Sequence, residues 1–168
     1  MNQSDSKVYI YNTVDGEMHH YYVSPLSHDL GFTTGLPSEA IMGELTNGPE
    51  NITPEFFQQN TQFLEFLAGV IGKHAIHCPG LIAETERQQN GYVFILDRRT
   101  PTPEDGVPPE DIIGYVEIKN GQMLQFHSSP NYRIFTKDGF MKLERWMHER
   151  LLEELKIVAG VSATEDTK

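Results

Sequence analysis

The sequence predicts a single α+β domain with a mostly antiparallel sheet. Two hairpin signals carry this prediction, because Asp15-Gly16 and Asn120-Gly121 each lie between segments rich in β-branched and aromatic residues. Residues 54–76 and 138–158 repeat apolar side chains at helical spacing. We therefore expect a sheet built from hairpins, packed against a central helix and a long C-terminal helix.

The N-terminal part of the domain begins with a hairpin over residues 8–23. If Asp15-Gly16 is its two-residue turn, Tyr11 faces His20 on the second strand. A loop rich in Gly, Ser and Pro follows, and residues 38–45 are predicted to form a short helix.

The central helix is predicted over residues 54–76. Thr53 is a suitable N-cap, Pro54 fits the first helical position, and Pro79 prevents the helix from continuing. A second short helix is expected over residues 81–89, ended by Asn90-Gly91.

The C-terminal part is predicted to contain three strands and a long helix. Residues 92–97 read as a buried strand, residues 112–127 as a hairpin and residues 131–135 as a short strand, before the helix at 138–158. The resulting order, ββ-ααα-βββ-α, is similar to that of PAS-like sensor domains, without a shared sequence motif. We expect a loose N-terminus over 1–7, one domain over 8–158 and a flexible tail over 159–168.

Net charge restricts the kinds of partner, and cysteine content restricts the cell compartment. The chain has 24 acidic and 13 basic residues, a net charge of −11, which argues against nucleic acid and anionic membranes as partners. Cys78 is the only cysteine, so no internal disulfide forms, and the first thirty residues lack an apolar run of signal-peptide length. We expect a soluble, cytoplasmic protein, and no motif calls for a cofactor.

The segment "GKHAIHCPG" brings His74 and His77 close to Cys78 at the end of the central helix. Helical winding places His74 on the apolar face, where a histidine is usually a neutral or charged core residue near the helix C-terminus. A zinc site would need further ligands, and no CxxC or HxxxH occurs. We predict no metal here, and His74 stays a candidate for ligand contact.

Two other positions are predicted to bind a ligand. Asn60 falls on the apolar face of the predicted helix, where its amide must find hydrogen bonds, either from neighbouring backbone or from a ligand in a pocket. Arg98-Arg99 follows a predicted buried strand, a common place for ligand-binding loops. Arginine binds carboxylate and phosphate well, although salt bridges to Asp97 or Glu110 are the simpler interpretation.

The last helix predicts an interface between copies of the chain. Its polar strip is narrow, and apolar residues flank the central stripe on both sides. Either the helix is packed between layers, or its flanks form a homodimer interface through Trp146, Ile157, Met141 and Leu152.

Together these patterns favour a non-catalytic binding or regulatory module that recognises a protein or a small molecule. No Walker A, GxGxxG, HExxH or GxSxG motif occurs. The alternative is an enzyme of unrecognised type, most plausibly a hydrolase that uses His74 and His77, or His28. In that case we expect the histidines to share one cleft with other polar groups.

Overall fold

The computed structural model describes residues 7–30 and 35–161 and has the predicted α+β fold, with its strands divided among three antiparallel sheets. The first sheet has the order β1 (Tyr9–Asp15), β2 (Met18–Ser24), β3 (Gly43–Leu45) and β4 (Phe57–Gln59). The second has the order β5 (Gly91–Leu96), β6 (Ile112–Lys119) and β7 (Gln122–Ser128). The third pairs β8 (Phe135–Thr136) with β9 (Gly139–Phe140), and the helices are α1 (Thr61–His74), α2 (Pro79–Gln88) and α3 (Arg145–Ala159).

One hairpin turn is confirmed and the other is shifted. Asn120-Gly121 forms the two-residue loop of the second hairpin, since Lys119 pairs with Gln122. In the first hairpin Asp15 pairs with Met18, so the loop is Gly16-Glu17 and not Asp15-Gly16. Gly16 adopts a φ of +65°, a conformation that glycine takes at no steric cost.

The shift in the first hairpin changes the cross-strand partners. Tyr11 faces Tyr22 instead of His20, and Thr13 faces His20. Because the register moves by two residues, every side chain keeps its predicted face of the sheet.

The central helix begins later than predicted. Residues 54–56 form a 3₁₀ turn and Phe57–Gln59 form β4, which pairs with β3. The prediction of helix from residue 54 was wrong because this pairing joins segments that are distant in sequence. α1 therefore starts at Thr61, and residues 38–40 form only a 3₁₀ turn.

The C-terminal helix also begins later than predicted, at Arg145 and not near residue 138. Gly139 has a φ of +111° and lies in the β8–β9 hairpin, and the Glu144 carboxylate caps the helix by accepting the Met147 N–H at 3.1 Å. Met141 therefore lies before the helix and is only 3% exposed, which corrects its prediction as an interface residue.

α3 extends past residue 158, where the domain was predicted to end. Ala159 belongs to α3 and is fully buried, and Val161 packs against the core. The predicted loose ends at residues 1–6 and 162–168 lie outside the described residues.

One main core joins both larger sheets to α1 and α3. Its buried side chains come from each of these elements and include Val23, Leu45, Phe63, Leu67, Ile113, Leu151 and Leu155. A smaller cluster packs Ala75, just after α1, against Val93, Val116 and Ile118 of the second sheet. The stripes predicted for α1 and α3 are confirmed at Leu67 and Leu151, which are at most 2% exposed.

β5 is an edge strand and not the fully buried strand predicted. Val93 packs inward, whereas Tyr92 and Phe94 are 52% and 55% exposed on the outer face. A continuous apolar run does not distinguish a strand buried on both faces from an aromatic outer face.

In the described part of the chain, no single helix is long and apolar enough to cross a membrane. The consecutive segments Thr61–His77 and Pro79–Gln88 meet that test only as a pair, and they are bent by 65°.

The close contact between β6 and β7 makes Gly114 sensitive to substitution. A Cβ atom there would lie 2.4 Å from the carbonyl oxygen of His127, whereas one at Gly69 of α1 would meet no atom within 4 Å. Gly114→Ala should lower the free energy of unfolding in urea by about 1–3 kcal/mol, because the backbone must shift. Gly69→Ala should raise it by about 0.5–1 kcal/mol, as in an ordinary helix interior. Equal stability of the two variants would contradict this packing.

Candidate functional site

Asp97 and Arg98, which follow β5, are hydrogen-bonded to Lys142, which precedes α3. We call this contact between distant segments the crossing. The Arg98 N–H donates to the Lys142 carbonyl at 2.8 Å, and the Lys142 N–H donates to the Asp97 carboxylate at 3.1 and 3.2 Å. Two clefts open at this crossing, and Arg98 lines both of them.

The first, which we call the basic cleft, has a volume of about 590 Å³. Lys7, Arg98 and Lys142 line it, and none of these three has an ion pair among residues 7–30 and 35–161. Its one acidic residue, Asp138, is 3.4 Å from the ammonium of Lys137. The cleft is therefore a local excess of positive charge in a chain of net charge −11.

The second, which we call the α2–β5 cleft, has a volume of about 240 Å³ and lies between α2, the edge strand β5 and the start of α3. Its walls are largely apolar and include Leu81, Val93, Ile95, Leu143 and Met147. Two of its polar groups are held within the chain: Glu84 accepts from Arg87 Nε at 3.0 Å, and Glu144 caps α3.

The backbone of β5 has a free edge along this cleft. The Gln89 carbonyl and the Asp97 N–H bond towards the β6 side, whereas the Tyr92 carbonyl and the Arg98 N–H bond away from it. In an antiparallel strand these directions alternate, so Phe94 and Leu96 also point their backbone groups away from β6. In the described part of the chain, those groups of Phe94 and Leu96 have no hydrogen-bond partner.

Arg99 also borders the basic cleft, but its side chain is only 2% exposed. A guanidinium has five N–H donors, and all five are used. Nε donates to the Asp111 carboxylate at 2.8 Å, and the two Nη atoms donate to the carbonyls of Glu110, Arg133, Ile134 and Gly139. Arg99 therefore has no donor left for a ligand, and of the predicted pair only Arg98 has a side chain without hydrogen-bond partners among the described residues.

Two carboxylates and a tyrosine complete this buried cluster. Tyr132 donates its hydroxyl to Asp97 at 2.6 Å, and Thr100 donates to Asp111 at 2.6 Å. Burial raises the pKa of Asp97 and, together with the neighbouring Asp97 charge, raises the pKa of Tyr132 well above its usual range. The simpler of our two interpretations of the Arg98-Arg99 pair, a salt bridge to Asp97, is present at 3.5 Å.

Asn60 is a helix cap and does not lie on the inward face of a helix. Its side-chain oxygen accepts the Gln62 N–H at 3.2 Å, and its amide donates to the carbonyls of Ser38 and Ile41 at 2.9 Å each. The pocket position predicted for Asn60 depended on a helix from residue 54, so it is corrected with that boundary.

His74 is held by a carboxylate of α3. Its Nε2 lies 2.9 Å from Glu154 Oε2, which also accepts from Lys73 Nζ at 2.7 Å. These two hydrogen bonds lower the pKa of Glu154, and the one from Lys73 has the larger effect. His74 also contacts the Trp146 ring edge to face, so this cluster joins α1 to α3.

The neighbouring residues of "GKHAIHCPG" do not gather around His74. His77 is exposed, while Cys78 is buried and lies 3.8 Å from Glu144 Oε1. Burial raises the pKa of Cys78, which favours the thiol over the reactive thiolate. Residues 7–30 and 35–161 contain no group of three or more His, Cys, Asp or Glu side chains placed to hold one metal ion.

The predicted interface residues of α3 differ in exposure. Ile157 is 76% exposed, whereas Trp146 and Leu152 are half-buried. The guanidinium of Arg150 lies 4.7 Å from the centre of the Trp146 ring, which covers part of that side chain.

Sequence reasoning missed Lys142 and Lys7 as site residues. Lys142 falls within residues 138–158, where the sequence predicts the last helix, but it precedes α3 and lines the basic cleft. No local signal could have found it, because its position depends on the crossing with Arg98.

Comparisons of the chain with protein-family models, curated proteins and solved structures found no match.

The buried Arg99 cluster predicts a large difference between two adjacent arginines. Arg99→Leu should lower the free energy of unfolding by about 3–5 kcal/mol, because it leaves Asp97 and Asp111 as buried carboxylates without their cation. Arg98→Leu removes the same charge from an exposed position and should change it by no more than about 0.5 kcal/mol. Guanidinium denaturation of both variants tests this, and a similar loss in the two would contradict the cluster's role.

Proposed function

We propose that this chain is a non-catalytic binding module that recognises an anionic group through Arg98, Lys142 and Lys7. One observation carries the proposal: these three cations line one cleft and, among the described residues, have no carboxylate paired with them. Cations held near each other repel, and a bound carboxylate or phosphate relieves that repulsion with charge-assisted hydrogen bonds.

The ligand in this proposal is a small anion or a single anionic group of a protein. A polyanion would meet the rest of the surface, whose charge gives the chain a net −11. This supports our expectation that nucleic acid and anionic membranes are not partners. A cytoplasmic location is likewise part of this proposal, and it is an expectation from the sequence.

The alternative of a hydrolase rests on His74, His77 and His28. His74 is bonded to Glu154 of α3, while His28 Nε2 lies 2.7 Å from the Ile10 carbonyl of β1. Neither cleft described above is lined by any of the three histidines. The binding module is therefore the function we favour.

The anion site can be tested with inorganic phosphate and with succinate as probes. In an NMR titration of the labelled protein, either anion should shift the backbone amides of Arg98, Thr100 and Lys142. The double variant Arg98→Ala/Lys142→Ala should weaken this binding by at least about tenfold, since each charge-assisted hydrogen bond contributes about 1.5–3 kcal/mol.

A charge-matched control separates local contacts from the overall field. Lys119→Ala/Arg133→Ala also removes two positive charges, from exposed positions outside both clefts. It should leave the affinity within about twofold, because surface charges beyond a Debye length are screened. Equal weakening in the two double variants, or no shift with either anion, would refute the proposed site.

We also propose a homodimer through the end of α3, supported by Ile157 and Val158, which are 76% and 39% exposed on its last turn. Ile157→Lys should shift the protein from dimer to monomer in native mass spectrometry, since the lysine would place a charge in an apolar contact. Val14→Lys, at a residue 59% exposed in the first hairpin, is the control and should stay dimeric. A wild-type monomer at every concentration, or a dimer in both variants, would rule this interface out.

A further inference from the structure

We infer that the α2–β5 cleft binds the C-terminal end of an extended peptide, which adds a short strand to β5 and places its terminal carboxylate beside Arg98. This inference rests on the proposed recognition of an anionic group at Arg98 and names the class of ligand.

The free edge of β5 supplies the main-chain contacts. The backbone N–H and C=O groups of Phe94 and Leu96 point away from β6 and have no partner among the described residues. An extended peptide satisfies such groups by pairing as an additional strand, and apolar side chains at alternate positions then enter the neighbouring pocket. The adjoining wall of α2 provides that pocket through Leu81.

Both ends of the free edge are closed. Gln88 Nε2 donates to the Tyr92 carbonyl at 2.8 Å, and the Lys142 carbonyl accepts the Arg98 N–H at 2.8 Å. An added strand therefore cannot continue pairing past Leu96, because the next outward N–H is already bonded to Lys142. A chain that ends at this point fits the edge better than one that must turn away.

The size of the cleft limits the side chains that it accepts. Its volume of about 240 Å³ is below the roughly 300–1,000 Å³ of a typical small-molecule pocket. The walls at Val93, Ile95 and Met147 are apolar, so burying apolar side chains there is favourable. We therefore expect one or two aliphatic side chains at the end of the peptide.

The charges around the cleft favour a carboxylate at the Arg98 end. Glu84 is paired with Arg87, whereas Glu144 accepts the Met147 N–H at the start of α3, where the positive end of the helix dipole favours a carboxylate. Arg98 is the one cation that lines the cleft, and it has no ion pair in the described ranges 7–30 and 35–161. Arg98 is therefore the group in this cleft with which a carboxylate can pair.

Selection from a library of random short peptides with free C-termini tests this inference. We expect the enriched peptides to end in aliphatic residues. Synthesised with a C-terminal amide, they should bind at least about tenfold more weakly, because the charge-assisted bonds to Arg98 are lost. Arg98→Ala should weaken the free-acid peptide to a similar degree, and Lys119→Ala should not.

A variant that fills the cleft gives an independent readout. Gly80 lines the cleft, and a Cβ atom there would meet no atom within 4 Å, so Gly80→Phe should fold and block the peptide. Because Gly80 does not line the basic cleft, the phosphate shifts at Lys142 should persist in this variant. Circular dichroism verifies its fold, and Arg98→Ala keeps the test valid if Gly80→Phe does not fold.

The outcomes distinguish this inference from the proposed function. Phosphate or succinate binding without any enriched peptide would overturn the inference and leave the anion site standing. Equal binding of acid and amide peptides would overturn the terminal carboxylate. Direct binding of a straight-chain fatty acid, with no peptide enriched, would overturn the peptide and show that the ligand is a small amphiphile. Loss of a dimer in Gly80→Phe would instead assign the free edge of β5 to a second copy of the chain.

Discussion

The burial of Arg99 is the constraint on which the rest of the site depends. A guanidinium that is 2% exposed is costly unless every donor is satisfied, and here five donors reach one carboxylate and four carbonyls. Those acceptors lie just before β6, just before β8 and in β9, so one side chain ties the end of β5 to three other segments. The acidic partners Asp97 and Asp111 are themselves fixed by Tyr132 and Thr100.

The two clefts follow from this anchoring. Arg98 and Arg99 lie in the turn that follows β5, which buries Arg99 and leaves Arg98 exposed. Asp97 in turn holds the Lys142 N–H, which brings a second cation to the same crossing. Flexible side chains on a rigid crossing are a common arrangement for binding sites, because the scaffold positions them before the ligand arrives.

Features that depend on local chemistry could be predicted from the sequence. The Asn120-Gly121 turn, the α2 helix and the buried stripes around Leu67 and Leu151 all arise from residues close together in the chain. The start of α1, the start of α3 and the position of Lys142 could not be predicted, because each depends on pairing between distant segments. Arg98-Arg99 was identified as a pair, but only contacts with Asp111 and the distant carbonyls show that the two have opposite orientations.

Hydrogen exchange of individual backbone amides tests the central claim most directly. If the Arg99 cluster holds the crossing, the amides of Asp97, Arg98 and Lys142 should exchange as slowly as those of the core, through global unfolding. The Phe94 amide, on the free edge of β5, should exchange orders of magnitude faster. Fast exchange at Arg98 and Lys142 would show that the crossing opens freely, and slow exchange at Phe94 would show that its edge is already paired; either result would contradict the account.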